Sequence, residues 1–347
     1  MPFTAETWPI AAALLPFPAV RSDGVIMQDA APADWLETFR EVADAGFRHV
    51  DLTDSWVRPG DLSPERLGQL KEAASEAGLG LAAISAIRRS VIDDRHGDEN
   101  LAYSHRTLDA AAGLGIGVVS FGLHQELTPA QRQQLWFWTV EGYKDPPDDR
   151  QKWDAAVRRF QELGRHGSDL GVLVSLEMYE DTYLGTGDSA VRLVEEIGMD
   201  DVGLNPDIGN LVRLHRPVED WRSLVHKTLP YANYWHVKNY FRDEDVSRGS
   251  FVAAPAPLEL GVISYREAFR YALSVGFQGP ICGEHYGGDG LSVSATNERY
   301  LREQILPRRD GYRLGTSRVK QWSDGAAPSG AMAAPGGGAA GPGQAEP

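Results

Sequence analysis

Eight short apolar runs, separated by segments with helical periodicity, constrain the fold of this chain more than any other feature. The runs lie at roughly 9–16, 48–53, 79–86, 116–123, 171–178, 201–206, 232–238 and 279–284. Between them, segments such as WLETFREVADAGF (35–47) and SPERLGQLKEAASEAGLG (63–80) place apolar residues on one helical face and end at glycine. A strand followed by a helix, repeated eight times, predicts an α/β fold, a (β/α)8 TIM barrel.

A doubly wound parallel sheet is the alternative fold that also alternates strands and helices. Its dinucleotide-binding form carries G-x-G-x-x-G between the first strand and its helix. Here GLGIG (113–117) enters a predicted strand and opens no helix, so the pattern favours the barrel. Two segments are long for loops, 124–150 and 239–262, and in a barrel both lie at the C-terminal face, where active sites are built.

A change of composition near residue 320 divides the chain. Residues 1–319 carry the barrel pattern, whereas residues 320–347 include the run GAAPSGAMAAPGGGAAGPGQAEP. Small residues, glycine and proline cannot bury enough apolar surface to offset the entropy of ordering. The sequence therefore predicts one barrel domain over 1–319 and a disordered Gly/Ala/Pro-rich C-terminal tail over 320–347.

Charge and cysteine content limit the partners and the compartment. The formal net charge is −15, which disfavours a nucleic-acid partner and an anionic membrane surface. Cys282 is the one cysteine, so no intrachain disulfide can form and a reducing compartment fits. The apolar run IAAALLPFPAV (10–20) contains two prolines and is too short to cross a membrane. We expect a cytoplasmic protein.

Four successive predicted strands each end in a residue that can bind a metal ion. In chain order these are Glu177 in VLVSLEMYE, Asp207 in VGLNPD, His236 in YWHVKNY and Glu284 in PICGEH. Side chains alternate between the two faces of a strand, and this alternation points all four into the barrel. Because the carboxyl ends of parallel barrel strands meet at one face, we expect the four side chains to lie close together.

A divalent cation would relieve the repulsion among three crowded carboxylates, whose burial without partners is costly. Three oxygen ligands and one imidazole suit a hard ion, Mn²⁺ first, with Mg²⁺ and Co²⁺ also suitable. The alternative is an inward ion-pair network with Lys238 and Arg213, although one lysine cannot neutralise three carboxylates. Lys238 shares a strand face with His236 and is expected to contact a substrate.

Two further residues are candidates for contact with a substrate. His124 ends the fourth strand, VVSFGLH, where it can act as an acid or base, or hydrogen-bond within a loop. Trp138 lies in QQLWFWTVEGYKD, after the fourth strand. Its indole ring can stack on a sugar or aglycone ring. The alternatives are that it packs this loop on the barrel or contacts another subunit.

The strand ends resemble the xylose-isomerase-like barrels of the sugar isomerase/epimerase superfamily. The resemblance runs over roughly 9–306 and rests on GLNPDIGN, YWHVKNY, PLELGVISYREAF and GPICGEHYGGDG. It implies that Glu177, Asp207, His236 and Glu284 hold the metal of a divalent-metal-dependent carbohydrate enzyme. In the ketose 3-epimerases of this superfamily the two metal-bound glutamates exchange protons beside the sugar carbonyl, a role that would fall on Glu177 and Glu284.

The chain departs from those epimerases after the fifth and sixth strands. They have a second acidic residue soon after the strand-five glutamate and a histidine three residues after the strand-six aspartate. Here EMYEDTYLGTG follows the fifth strand, and Asn210 takes the place of the histidine, where we expect it to contact the substrate.

A finer resemblance is to the α-subunits of bacterial C-glycoside deglycosidases, in EMYEDTYLGT, NPDIGN, NYWHVKNY and EHYGGDG. It implies a lyase that cleaves 3-keto-(C-)glycosides by elimination, releases the aglycone and pairs with a small β-sandwich subunit. The alternative is a sugar isomerase or ketose 3-epimerase.

Two other classes of protein can use the same barrel. A metal-dependent DNA-repair endonuclease needs further metal ligands and a basic groove, which the charge of −15 disfavours. A non-catalytic sugar-binding subunit would keep its function when Glu177 or Glu284 is replaced by its amide. An enzyme would lose turnover with the same replacements.

Overall fold

A computed structural model describes residues 1–322. Within this range, eight parallel strands form one sheet. They are β1 (Ile10–Ala13), β2 (His49–Thr53), β3 (Gly80–Ser85), β4 (Val118–Gly122), β5 (Leu173–Glu177), β6 (Val202–Asn205), β7 (Trp235–Val237) and β10 (Ile281–Gly283). The order β6-β5-β4-β3-β2-β1-β10-β7 is that of a barrel. A parallel bridge between Leu204 and Ala232 joins the two ends, which confirms the predicted TIM barrel.

The helices form the outer layer, together with short turns at the barrel mouth. They are α1 (Pro32–Asp44), α2 (Pro64–Glu76), α3 (Gly97–Leu114), α4 (Pro129–Arg132), α5 (Arg150–Leu170), α6 (Gly187–Ile197), α7 (Gly209–Val212), α8 (Trp221–Thr228), α9 (Tyr265–Ser274) and α10 (Gly290–Tyr300). A side chain caps the start of α2 as the sequence predicts, because Ser63 Oγ accepts a hydrogen bond from the backbone N–H of Arg66. None of the helices within 1–322 combines the length and apolarity needed to cross a bilayer.

The long segment after β7 is an ordered hairpin rather than the predicted loop. Strands β8 (Asn239–Asp245) and β9 (Ser250–Ala256) pair in antiparallel register. Asn239 fixes the base of the hairpin, because its Nδ2 donates to the carbonyls of Leu258 and Ile263, both at 2.9 Å. The hairpin therefore extends from the same edge of the barrel as the predicted metal ligands.

The core has an inner and an outer part, as the alternation of strand residues predicts. The barrel interior is filled by Ala13, Ala83, Val118, Leu173, Tyr234 and Cys282. The outer part lies between strands and helices, where the Trp235 ring packs 4.6 Å from that of Phe269 on α9. Trp235 thus faces the helices, and its strand neighbour His236 faces the interior.

The packed chain extends three residues beyond the predicted domain boundary at 319. Lys320 Nζ lies 2.7 Å from Asp201, and Gln321 is buried and accepts a hydrogen bond from the backbone N–H of Gln278 at 2.7 Å. Contacts that are distant in sequence hold these residues, and the local composition does not reveal them. The remainder of the predicted tail, 323–347, lies outside the described residues.

Gly279 lets β10 approach β7 closely, and its replacement tests that contact. A Cβ at this position would overlap the backbone oxygen of Asn233, just before β7. We expect Gly279→Ala to lower the free energy of unfolding in urea by about 1–3 kcal/mol, because β10 must move. In the control Gly68→Ala, nothing lies within 4 Å of the added Cβ. Its helix α2 should gain about 0.5–1 kcal/mol, and equal stability of the two variants would contradict the packing argument.

Candidate metal centre at the barrel mouth

Strand register brings the predicted site residues to one end of the barrel. Glu177 is the last residue of β5 and pairs with Asn205 of β6, so Asp207 stands two residues higher. His236 of β7 pairs with Cys282 of β10, so Lys238 and Glu284 stand two residues above that pair on adjacent strands. Side chains two residues apart share a face, and each of these therefore points into the mouth.

Glu177, Asp207 and His236 form a group that can hold a metal ion. One ligand atom from each lies within 4.8 Å of the others, and all three side chains are buried. His236 Nδ1 lies 3.8 Å from Asp207 Oδ2 and has no hydrogen-bond partner within residues 1–322. A buried ring nitrogen aimed at a carboxylate without bonding to it fits a ligand atom that awaits a cation.

Lys238 connects the other predicted ligand, Glu284, to this group. Its ammonium lies 2.7 Å from Asp207 Oδ2 and also forms an ion pair with Glu284 Oε2. The stem of Lys238 runs past Gly209, where a Cβ would overlap the lysine Cγ. Lys238 was predicted to contact a substrate. In this structure it neutralises charge between two predicted ligands, as in the alternative ion-pair network.

The electrostatics show that Lys238 leaves one carboxylate uncompensated. Burial raises the pKa of Glu177 to about 7, and the nearby Asp207 and Glu284 carboxylates act in the same direction. Burial also raises the pKa of Asp207 despite Lys238. At Glu284 burial opposes ionisation, but the Lys238 and His236 charges outweigh it and lower the pKa. A divalent cation beside Glu177 therefore fits the donor set and its excess of negative charge.

His236 is oriented by a second group of polar residues inside the barrel. Its Nε2 lies 3.2 Å from Ser85 Oγ, which donates to Asp51 Oδ2 at 2.8 Å. Tyr234 OH donates to the same carboxylate oxygen at 2.7 Å. These contacts leave Nδ1 facing the centre, as partners of metal-bound histidines commonly do. Cys282 also lies near Asp51 and His236, but burial raises the pKa of its thiol, which favours the neutral core filler.

Asn210 holds Glu177 in place. Its Nδ2 donates to Glu177 Oε1 and to the backbone oxygen of Met178, each at 3.0 Å. The amide therefore orients the carboxylate, and this role is additional to the predicted contact with a substrate. Its Oδ1 has no hydrogen-bond partner in the described chain, so this oxygen remains available to a bound molecule.

Removal of the Asn210 amide should slow turnover without unfolding the protein. We expect Asn210→Ala to lower kcat about 10-fold, because one hydrogen bond to a carboxylate contributes about 1.5 kcal/mol. Steady-state kinetics and urea unfolding measure the two effects separately. Asn297→Ala is the control, since Asn297 is equally buried but accepts from Leu258 N in the outer layer. An equal loss of kcat in both variants would exclude a specific role for Asn210.

The guanidinium of Arg213, which the sequence indicated only as part of an inward ion-pair network with the predicted ligands, is buried and pairs with a different carboxylate. Arg213 is 0% exposed, and its Nη2 bonds both carboxylate oxygens of Glu180 at 3.0 and 2.9 Å. It lies 4.8–5.7 Å from four aromatic ring centroids, those of Phe137, Trp138, Tyr179 and Tyr286. Its Nε and Nη1 have no hydrogen-bond partners in residues 1–322, although buried donors normally have them.

The aromatic rings around Arg213, together with His124, form what we call the wall. It includes Trp138 and His124, which were both predicted to contact a substrate. Trp138 is buried, packs edge-on against Tyr240 at 5.7 Å, and leaves its Nε1 without a partner among the described residues. The His124 ring stacks on Tyr179 at 4.5 Å. Burial lowers the pKa of His124 well below its usual value, so its imidazole is neutral. The wall borders the candidate metal centre at Tyr286, whose ring centroid lies 5.2 Å from Lys238 Nζ.

A cavity of about 210 Å³ opens outside this wall, next to Trp138, Tyr179 and Glu180. Within 1–322, the non-glycine residues with positive φ are Arg88 at 55° and Asp181 at 61°. Both line this cavity. Strained backbone of this kind persists where surrounding structure enforces it, often at functional sites. Trp138, Tyr179 and Glu180 line the cavity and also contact Arg213, so the cavity adjoins the wall from outside.

Comparison with known protein families agrees with the barrel fold of this chain. The family model described as xylose isomerase-like TIM barrel matches residues 39–306, and the chain belongs to this family. A xylose isomerase-like TIM barrel protein from Mycobacterium smegmatis, solved in complex with magnesium, is 44% identical. The match covers 87% of this chain and 97% of that chain with a TM-score of 0.83. No curated protein sequence matches the chain.

More distant solved structures share the fold. The 3-keto-D-glucoside 4-epimerase of E. coli is 14% identical, with 85% of this chain and 99% of that chain covered and a TM-score of 0.58. The D-psicose 3-epimerase of Clostridium cellulolyticum H10, solved with D-tagatose, is 15% identical, with 83% and 89% covered and a TM-score of 0.54. At such identities the likeness shows the barrel fold alone.

Proposed function

We propose that the protein is a divalent-metal-dependent sugar epimerase or isomerase that moves a proton at the carbon beside a sugar carbonyl. The observation that carries this proposal is the convergence of Glu177, Asp207 and His236 on one buried point, with Glu284 on the other side of Lys238. The named activities of the distant structures are sugar epimerisations, which favours this reading over the lyase that the finer resemblance implies.

The residues of the chain take distinct roles in this reaction. A bound cation, Mn²⁺ or Mg²⁺, supplies electrophilic stabilisation of the charge that develops on the sugar oxygens. The relative from Mycobacterium smegmatis was solved with magnesium, which supports a divalent ion at Glu177, Asp207, His236 and Glu284. Glu177, oriented by Asn210, removes the proton from the carbon beside the carbonyl. For epimerisation the carbon is protonated from the opposite side, where Lys238 pairs with Glu284 and carries the nearest ammonium proton, and Glu177 then releases its proton to solvent.

Elimination from a 3-keto-glycoside is the second candidate, and the outer cavity favours it. After proton removal at C2, expulsion of the group at C1 gives the enone and the free aglycone. The 210 Å³ cavity outside Trp138 offers space for a substituent that a free monosaccharide does not carry. The small β-sandwich partner that the finer resemblance implies belongs to this candidate alone, and co-purification with such a subunit would support it.

The deciding experiment is proton NMR in D₂O with the Mg²⁺-loaded protein, since Mg²⁺ does not broaden the spectrum. Free ketoses and aldoses form one substrate set, and 3-keto-glycosides form the other. Deuterium beside the carbonyl with an intact skeleton, absent after EDTA treatment, supports the epimerase or isomerase. Metal-dependent release of aglycone supports elimination. Absence of exchange in both sets, with stoichiometric metal bound, contradicts proton abstraction.

A further inference from the structure

A pair of histidines links helices α3 and α5, remote in sequence from the barrel-mouth residues. His105 Nδ1 and His166 Nδ1 lie 2.8 Å apart. The outer nitrogens bond carboxylates of the opposite helix: His105 Nε2 is 2.9 Å from Glu162, and His166 Nε2 is 3.0 Å from Asp109. The imidazole side chains are 27% and 28% exposed, so solvent reaches them.

The positions of the hydrogens on the two imidazoles show that the space between the inner nitrogens can accept a cation. Each outer nitrogen donates its hydrogen to a carboxylate, which leaves both inner nitrogens with lone pairs directed toward each other. One shared proton can lie between them, and the four groups then carry a net charge of −1. A divalent cation in the place of that proton would bring the net charge of the four groups to zero and leave both carboxylate bonds intact. Carboxylate partners of this kind fix the tautomer of metal-bound histidines and raise their basicity.

We propose that His105 and His166 form a binding site for a divalent transition-metal ion of the copper, nickel and zinc group. At bonds of about 2.0–2.1 Å, nitrogens 2.8 Å apart subtend roughly a right angle at the ion. A right angle suits the tetragonal or octahedral geometry of Cu²⁺ and Ni²⁺ and is narrower than the tetrahedral preference of Zn²⁺. The rings must tilt toward a common point, and their partial exposure permits this. Waters complete the coordination.

The test is a Cu²⁺ titration of the metal-depleted full-length protein, followed by equilibrium dialysis and electron paramagnetic resonance. Cu²⁺ heads the affinity order of the divalent ions, and its spectrum reports the number of coupled nitrogens. We expect one bound equivalent of Cu²⁺ with two coupled nitrogens at the histidine pair. Cu²⁺ bound at the barrel centre would couple to one imidazole, that of His236. His236→Gln must therefore keep the two-nitrogen signal. The result for the histidine pair is then independent of whether the proposed function is correct.

Two variants must lose that signal, namely His105→Gln and His166→Gln. His96→Gln is the matched control, because His96 lies at the start of α3, is exposed and faces Glu99 at 3.7 Å, and it should change nothing. Glu162→Leu should weaken Cu²⁺ binding about 10–100-fold through loss of the carboxylate partner. If the wild type lacks a two-nitrogen site, or if either histidine variant keeps one, the pair shares a proton only and the proposal is wrong.

Discussion

Glu177→Gln is expected to reduce turnover by about 10³-fold or more, because the amide cannot accept the substrate proton. The substitution is nearly isosteric, and its Oε1 can still accept the hydrogen bond from Asn210. Deuterium exchange into the substrate, measured by NMR, should fall in parallel with kcat. Glu298→Gln is a matched control, since Glu298 is similarly buried but pairs with Arg302 in the outer layer. Full turnover by Glu177→Gln would contradict the assignment of Glu177 as the base.

Glu177→Gln, which should reduce turnover, should increase the stability of the metal-free protein. Burial raises the pKa of Glu177 from its ordinary value of 4.5, which applies to the unfolded chain, to about 7. The unfolded chain therefore releases this proton first, and the carboxyl destabilises the fold progressively as pH rises from 4.5 to 7. Above pH 7 the penalty is on the order of 3 kcal/mol. In EDTA at pH 8, Glu177→Gln should have a higher Tm than wild type, and added Mg²⁺ should reverse the order.

Arg213→Met is expected to produce the largest loss of stability among the site variants. The substitution leaves the Glu180 carboxylate buried without its partner, which costs about 3–5 kcal/mol. The double variant Arg213→Met/Glu180→Gln removes both charges and should recover most of that loss. Urea unfolding of the single and double variants measures the recovery.

The double variant Arg213→Met/Glu180→Gln should recover stability without recovering kcat/KM. Nε and Nη1 of Arg213 are buried donors without partners in residues 1–322, and they lie within the wall that borders the centre. We therefore expect the restored double variant to keep a deficit in kcat/KM of about 10–100-fold, the contribution of a hydrogen bond from a charged group. Wild-type kcat/KM in a stable double variant would show that Arg213 only supports the wall.

The order of elements and the residues at the strand ends could be predicted because both depend on local patterns. Alternation along each strand put Glu177, Asp207, His236 and Glu284 on the inner face, and the parallel barrel brought them to one end. Capping chemistry likewise predicted the start of α2 at Ser63. The sequence by itself therefore determined the barrel and the candidate ligands.

Only the tertiary structure decided how these groups are paired. Lys238 bonds Glu284 because the register of β7 and β10 sets these two residues at equal height, and Asp207 reaches the same ammonium from the end of β6. Register is a relation between distant segments. Arg213 meets Glu180 because two loops fold over the same opening. Charge pairs across loops depend on long-range packing, which leaves no periodic signal in one sequence. For the same reason, the 239–256 hairpin and the packing of residues 320–322 became evident only in the folded chain.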